Sequence, residues 1–398
     1  MGQARESVHP PAVYWLTLPV AGGLTAFFWH IGADLLVTVA GALAALCTVM
    51  GVLVTWRNIR RDRLLARAAQ PSGNYARLGF AELPDLSKAG LTALDDAVGV
   101  FVGVLDGVLL FFPAGHCLTI AMTGAGKTSS LVFPNVLHIL NVRRLGKSLQ
   151  ALVVNDKGGE VTATLWPFIR EIFPAAYCVN PWHSHGLPNH CVNLIQRIVD
   201  HAVDGSAELI DVIRQIALVL VPEPEKAGEN LFFIQRARII IQVLLRGMSW
   251  LAAHGQEEIC NLVELRRRIT CSAEEHIGYL AEMRDLGGEM GREADRLLGM
   301  LEATPMTYEN ALAEAENATW IFSEDGPLAE SIQDSDFRAR DVIERSGYVG
   351  IIIPPIKYKT YATYVALLLQ EFGQAGLDHG RIDRGVRILA DELGLVDI

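Results

Sequence analysis

The residues AMTGAGKT at 121–128 have the types and the spacing of a loop that binds phosphate. Small residues at 124–126 leave backbone N–H groups free to surround phosphate oxygens, and the positive end of the following helix favours the same negative charge. Lys127 can reach the β and γ phosphates of a nucleotide, and the Thr128 hydroxyl can bind Mg²⁺. We therefore predict a site for ATP and Mg²⁺ with these loop residues: Thr123, Gly124, Ala125, Gly126, Lys127, Thr128 and Ser129.

A second motif, VRILADEL, lies far along the chain at residues 386–393. Its apolar run ends in Asp391 and Glu392, as a buried strand ends at the carboxyl edge of a parallel sheet. Because that edge forms the nucleotide site in such sheets, we predict that Thr128 binds Mg²⁺ and that Asp391 holds the ion indirectly, through the groups that bind it. Glu392 is predicted to polarise the attacking water, so the predicted catalytic residues are Lys127, Asp391 and Glu392.

Strand and helix patterns alternate around the two motifs. A β-hairpin is predicted over 99–112, with Asp106 and Gly107 as its turn. Buried strands are predicted at 117–122, 151–155, 176–180, 348–353 and 386–390. This alternation indicates an α/β fold with a parallel sheet covered by helices on both faces. The interval 205–335 shows only helical patterns and is too long for a loop, so we predict an all-helical insertion domain there.

Pro134 is an unusual residue in the helix that should follow the phosphate loop. A helix that starts at Lys127 places this proline in its second turn. There it removes a backbone hydrogen bond and presses on the carbonyl of Ser130, at a cost of about 3 kcal/mol. We therefore expect a kinked helix.

The first 67 residues have the composition of a membrane anchor. No Lys, Arg, Asp or Glu occurs in 7–33 or in 35–56, and either stretch can cross a hydrocarbon core of ~30 Å as a helix. Five arginines and one aspartate follow at 57–67, which places that flank and the rest of the chain in the cytoplasm. We predict a two-helix transmembrane hairpin. A signal peptide cleaved near Ala33 and a buried core hairpin are the alternatives.

The formal net charge of −11 is not that of a strongly basic nucleic-acid-binding domain, so any such contact must be local. Six cysteines without a CxxC pair suit a reducing cytosol.

One cluster of arginines can line a path for single-stranded DNA or form a solvated helix face: Arg236, Arg238, Arg266, Arg267 and Arg268. A second cluster can bind zinc or face solvent: His183, His185, His190 and Cys191.

The stretch TGAGKTSSLVFPNVL resembles the type IV secretion coupling proteins, the TraG/TraD-type motor ATPases of bacterial conjugation. That family's phosphate-loop helix has a V-x-P-N-L-L run, which is matched by Val132, Pro134, Asn135 and Leu137. Further similar segments occur in the same order, among them the N-terminal hairpin, YARLGFAELPDLSKAGL, GVFVGVLDG and SDFRARDVIERSGYVGIIIPP. The proline is thus a feature that the chain shares with this family.

The family's D-x-K-G-E motif is matched in part by DKGGE at 156–160. Asp156, Gly159 and Glu160 match, which adds Asp156 to the predicted cofactor-binding residues. Lys157 is displaced by one position, which argues against a direct phosphate contact by this lysine.

The resemblance implies a P-loop NTPase with a RecA-like sheet, divided into an anchor at 1–67, nucleotide-binding segments at 68–204 and 336–398, and the helical insertion at 205–335. It also implies a hexameric ring in the bacterial inner membrane, multi-pass, with the bulk of the chain in the cytoplasm. The implied partners are a relaxase with single-stranded DNA or a protein cargo, and the components of a type IV secretion channel.

Two other functions remain open. The chain could be a truncated, non-hydrolysing membrane receptor of the same system, or a different membrane-tethered DNA translocase. In the family, later strands, a glutamine sensor and an arginine finger fall beyond the position of Ile398. We therefore expect the strand that bears Asp391 to be an unpaired edge, and ATP hydrolysis by this chain alone to be negligible.

Overall fold

The computed structural model of the chain describes scattered residues between 23 and 60 and most of the segment 82–391. Within that segment the gaps are 93–98, 113–115, 121–124, 224–229, 257–259 and 381–384. The chain divides into two compact units, Met1–Glu82 and Leu83–Ile398. The predicted domain boundaries at 67, 204 and 335 remain predictions.

In the first unit, almost all described residues are helical, including 23–27, 48–50 and 52–57. Large apolar side chains are exposed on these helical residues, among them Trp29 and Trp56. Within the part of the chain that the structure describes, no helix combines the length and the hydropathy of a membrane span. Most residues of the predicted transmembrane hairpin lie outside the described residues, so the hairpin remains a prediction.

The second unit begins with helix α1, Leu83–Lys88, and a two-stranded antiparallel hairpin. Its strands are β1, Val100–Leu105, and β2, Val108–Phe112. Asp106 and Gly107 form the turn with φ of 49° and 77°, the positive values that a tight two-residue hairpin requires. The predicted hairpin over 99–112 is confirmed.

A four-stranded parallel sheet forms the centre of the second unit. Its strands are β3, Ala151–Lys157; β4, Ala176–Val179; β5, Tyr348–Ile353; and β6, Val386–Ala390. The order is β4-β5-β3-β6, and all neighbours are parallel. Four of the five predicted strands are therefore confirmed. As expected, β6 is an edge strand of the sheet within the described residues.

The strand predicted at 117–122 is wrong for residues 117–120, which have no regular secondary structure. Leu118 and Ile120 are 76% and 88% exposed. An apolar run becomes a strand only where a neighbouring strand supplies partners for its backbone N–H and C=O groups. No described strand pairs with this run, and residues 121–122 lie outside the described part.

Helices make up most of the remaining second unit. Two helices flank β3: α2, Phe133–Arg144, and α3, Glu160–Ile172. A helical layer follows β4: α4, Gln196–Val203; α5, Leu209–Leu220; α6, Leu231–Ala253; α7, Leu262–Thr270; α8, Ala273–Leu286; α9, Gly288–Ala303; α10, Pro305–Thr319; α11, Ala329–Ile332; and α12, Ala339–Glu344. The last helix, α13, Ala362–His379, connects β5 to β6. The described residues of 205–335 contain helices and no strand, as predicted.

Local sequence signals start several helices of this insertion. The Ser272 hydroxyl accepts from the Glu275 N–H while the Glu275 carboxylate accepts from the Ser272 N–H, which is a capping box at the start of α8. The Asn261 side chain likewise caps α7. The 23-residue helix α6 lies at the centre of the insertion and buries Ile240, Leu244 and other apolar residues.

Two helical layers cover the parallel sheet, one on each face. On one face, Leu152 and Val154 of β3 pack against α2 and α3. On the other face, Val153 belongs to the larger core that is formed with the layer of α4 to α13. Because side chains alternate between faces along a strand, Asp156 follows Leu152 and Val154 onto the face of α2 and α3.

Gly350 of β5 allows α3 to approach this face closely. A Cβ atom at this position would lie 2.9 Å from Thr162 Oγ1 and 3.2 Å from the Tyr348 hydroxyl oxygen. We expect Gly350→Ala to lower the free energy of unfolding by about 1–3 kcal/mol, because the added methyl group pushes α3 away from the sheet. Urea denaturation of the purified chain, followed by circular dichroism, measures this change.

The matched control is Gly373→Ala in α13, where an added Cβ meets nothing within 4 Å. Alanine favours a helix over glycine by up to about 1 kcal/mol, so this variant should be as stable as the parent or more stable. Equal stability of the two variants would contradict the close packing of α3 against β5.

Candidate nucleotide site

The helix after the phosphate loop starts as a π-helical turn, Thr128–Val132, and continues as α2. The Phe133 N–H donates to the Thr128 carbonyl, one residue further back than in an α-helix. Residues 127–144 are helical without a break, so Pro134, which stands in the first turn of α2, lies in the second turn after Lys127. The expected position of the proline in the second turn is confirmed, and the departure from a regular α-helix is the π-helical turn directly before it.

Asn135 ties this helix to the β-hairpin. Its buried side chain accepts a hydrogen bond from the Phe101 N–H at 2.9 Å and donates one to the Phe101 carbonyl at 2.9 Å. The same amide nitrogen donates to the Leu131 carbonyl at 2.8 Å. The amide thus pairs with β1 as the backbone of a third strand would, and it also satisfies a carbonyl of the π-helical turn. In the sequence, Asn135 is only part of the match to the family. The sequence signal for its structural role is a polar amide next to a proline on a helix face that is otherwise buried.

The structure brings together the two predicted metal-binding residues. The Thr128 hydroxyl lies 3.0 and 2.9 Å from the two carboxylate oxygens of Asp391, although the residues are 263 positions apart. Asp391 follows β6 directly, and its N–H donates to the Asn155 carbonyl of β3. The end of β6 and the start of the phosphate-loop helix therefore meet at the carboxyl edge of the sheet.

Asp156, the last but one residue of β3, lies at the same edge and is completely buried. Its Oδ2 accepts a hydrogen bond of 2.6 Å from the Thr162 N–H in the first turn of α3. Burial raises the pKa of Asp156, hydrogen bonds from Thr162 lower it, and the negative charge of Asp391 raises it further. The Asp391 carboxylate is thus close enough to influence Asp156.

The described part of the predicted phosphate loop begins at Ala125. Gly126 has a φ of 79°, in the left-handed region that favours glycine. Its carbonyl accepts hydrogen bonds from the Ser129 and Ser130 hydroxyls at 3.1 and 2.5 Å. These contacts close the loop onto the π-helical turn and leave Lys127 at the start of the helix. Thr123, Gly124 and Glu392 lie outside the described residues, so their predicted roles stay predictions.

The histidine and cysteine cluster has other contacts than a shared metal. The His190 Nδ1 accepts a hydrogen bond from the Cys178 N–H at 3.0 Å, and the Cys191 thiol donates to the Glu330 carbonyl at 2.9 Å. His185 Nε2 donates to the Gly158 carbonyl at 2.7 Å, which ties the loop after β4 to the loop after β3. Over the described ranges, no group of three His, Cys, Asp or Glu side chains could hold a metal ion.

The arginines of α7 bind within the helical insertion. Arg267 forms two hydrogen bonds with the Glu264 carboxylate, and Arg268 is buried, binds the same carboxylate and lies over the Tyr279 ring. Arg266 donates to the Glu316 carbonyl of α10. Arg266 and Arg268 thus join α7 to α10 and α8, whereas Arg267 is half exposed and pairs within α7, as on a solvated helix face. A path for single-stranded DNA along this run stays a prediction.

Comparison with known proteins identifies one family. The family model described as "Type IV secretory system Conjugative DNA transfer" matches residues 86–392. Comparison with curated proteins finds no match.

Solved structures of the plasmid coupling protein TrwB are similar to this chain. The complex with the non-hydrolysable GTP analogue GDPNP has a TM-score of 0.46 and 14% identity and is matched over 69% of this chain and 55% of its own. The complex with ADP and Mg²⁺ has a TM-score of 0.46, 15% identity and the same shares, 69% and 55%. The chain thus spans little more than half the length of these TrwB structures.

The role of Asn135 can be tested by a substitution that keeps its volume. We expect Asn135→Leu to lower the free energy of unfolding by about 2 kcal/mol, because it leaves the Phe101 N–H and carbonyl without partners at a partly buried position. Urea denaturation measures the change. Asn141→Leu is the matched control, since Asn141 is exposed on the same helix, and exposed substitutions stay within about 0.5 kcal/mol. A loss that is no larger for Asn135 than for Asn141 would show that the hairpin and the helix do not depend on this amide.

Proposed function

The chain belongs to the type IV secretory system conjugative DNA transfer family, and from that premise we propose that it is a nucleotide-dependent coupling protein of conjugation. It binds ATP and Mg²⁺ at the loop before the π-helical turn. Hydrolysis in the assembled transfer system, rather than by this chain alone, then drives the transfer of cargo. The contact between Thr128 and both oxygens of Asp391 carries this proposal, because it joins the phosphate loop to the acidic end of β6.

The residues at this edge fit the proposed cofactors. A hydroxyl and carboxylate oxygens converge within 3.0 Å of one another, and such hard oxygen ligands are those that Mg²⁺ prefers. When bound, Mg²⁺ would neutralise charge on the phosphates. The backbone N–H groups of Gly126 to Thr128 and the Lys127 ammonium would bind phosphate oxygens at the helix start. Glu392, next to Asp391 in sequence, would orient and deprotonate the attacking water.

We propose that the cargo is a relaxase bound to single-stranded DNA, or a protein, delivered to a type IV secretion channel by a hexameric ring. The family supports a role in conjugative DNA transfer. The charge-free stretches 7–33 and 35–56 and the arginine-rich flank support an anchor in the bacterial inner membrane with the bulk of the chain in the cytoplasm.

One observation favours a second function, that of a receptor which binds nucleotide and cargo without hydrolysis. The strand β6, which positions Asp391, has a neighbour on one side only within the described residues. In-line attack on a phosphate requires a fixed water, and a carboxylate at the end of an edge strand is held less firmly than one inside a sheet.

The phosphate site can be tested with Lys127→Ala. We expect this variant to lose nucleotide binding and to keep its yield and its membrane insertion, because the side chain serves phosphate and not the core. Calorimetric titration of the detergent-solubilised chain with MgATP measures the affinity. Lys147→Ala, an exposed lysine beyond α2, is the matched control and should bind as the parent does. MgATP affinity that is equal in the parent and in Lys127→Ala would contradict the proposed site.

The rate of ATP turnover distinguishes a coupling protein that hydrolyses ATP, the motor, from a receptor that only binds it. Phosphate release by the parent that disappears in Glu392→Gln, while MgATP binding persists in both, supports the motor. Binding without turnover in the parent supports the receptor.

The proposed anchor predicts the location of two positions on the chain. A reporter enzyme that is active only in the periplasm should be inactive when fused after Arg67 and active when inserted at Asp34, because the arginine flank stays in the cytoplasm. Reporter activity in whole cells measures this, with immunoblots to confirm equal amounts of the two fusions. Activity at Arg67 without activity at Asp34 would reverse the orientation.

A further inference from the structure

Two carboxylates stand side by side at the carboxyl edge of the sheet. In the parallel register of β3 and β6, Asn155 pairs with Ala390, so the residues that follow them, Asp156 and Asp391, are neighbours across the two strands. Val154 of β3 and Leu389 of β6 both pack on the face of α2 and α3. Asp156 and Asp391 each lie two residues further along their strand and therefore project from the same face, toward the phosphate-loop helix.

Only one of the two carboxylate oxygens of Asp156 accepts a hydrogen bond. Oδ2 accepts from the Thr162 N–H and thereby caps the first turn of α3. Oδ1 is buried as deeply and accepts no hydrogen bond, although a buried carboxylate oxygen is costly without a partner. Helix capping accounts for the first oxygen and leaves the second unexplained.

The surroundings of this oxygen indicate what its partner would be. Thr128 and Asp391 already bring a hydroxyl and two carboxylate oxygens to the same edge. A further carboxylate adds negative charge, which repels anions and attracts a cation. Oxygen ligands of this kind suit a small divalent cation better than zinc, which prefers nitrogen and sulfur.

We propose that Asp156 supplies a second carboxylate to the divalent-cation site of Thr128 and Asp391. This inference rests on the proposed nucleotide function and assigns to the acid of the DKGGE segment a chemical role at that site. Oδ2 holds the start of α3 while Oδ1 faces the cation. The cation site is thereby joined to the packing of α3 on the sheet.

The test is a titration of the ADP-saturated, detergent-solubilised full chain with Mn²⁺, in which electron paramagnetic resonance measures free Mn²⁺. Asp156→Asn removes the charge and keeps an oxygen that can accept from the Thr162 N–H. We expect it to weaken Mn²⁺ binding about 10- to 100-fold and to leave ADP affinity in EDTA and the thermal midpoint in EDTA as in the parent. The control, Asp211→Asn on the exposed side of α5, should change neither affinity.

Parent-like Mn²⁺ affinity in Asp156→Asn would overturn the proposal. A lower thermal midpoint in EDTA together with parent-like Mn²⁺ affinity would overturn it too, and would show a capping role alone. Failure of the parent to bind ADP in the presence of Mg²⁺ is a different result, because it contradicts the nucleotide function on which the inference rests.

A measurement on the parent does not depend on the folding of any variant. With ¹³C-carboxyl aspartate incorporated throughout, electron–nuclear double resonance of bound Mn²⁺ should detect two aspartate carboxyl carbons near the metal, from Asp156 and Asp391. The signal of a single carbon would contradict the proposal.

Discussion

The register between β3 and β6 is the constraint on which the candidate site depends. Ala390 pairs with Asn155, and the Asp391 N–H donates to the Asn155 carbonyl. This pairing places Asp391 on the face of α2 and α3, where the Thr128 hydroxyl reaches both of its oxygens. A slip of one residue would turn the carboxylate to the opposite face. The helical insertion lies between these strands in sequence and must fold without disturbing their pairing.

The other half of the site is held by contacts on the phosphate-loop helix. Asn135 fixes the helix against Phe101 of the hairpin, and its amide also binds the Leu131 carbonyl of the π-helical turn before Pro134. The hairpin therefore serves as a support for the phosphate loop. Tight packing of α3 at Gly350 brings the Thr162 N–H to Asp156, so both helices of this face take part in shaping one edge.

Much of this arrangement is predictable from the sequence, because its signals are local. The strands β3 to β6 are short apolar runs between loop residues, and the phosphate loop and Asp391 follow from residue types and spacing. Contacts between distant residues are not visible in this way. An apolar run at 117–120 does not reveal whether a neighbouring strand will pair with it. The roles of Asn135 and Thr162 depend on partners, Phe101 and Asp156, that only the fold brings near.

The central claim is that Thr128 and Asp391 act together on a bound metal–nucleotide complex. A double-mutant cycle with Thr128→Ala and Asp391→Ala, measured as MgATP affinity and as ATP affinity in EDTA, tests it most directly. The account predicts that each change weakens MgATP binding far more than metal-free binding, and that the double variant is little worse than either single one, with a coupling energy of about 1–3 kcal/mol. Additive losses, or losses equal with and without Mg²⁺, would contradict it.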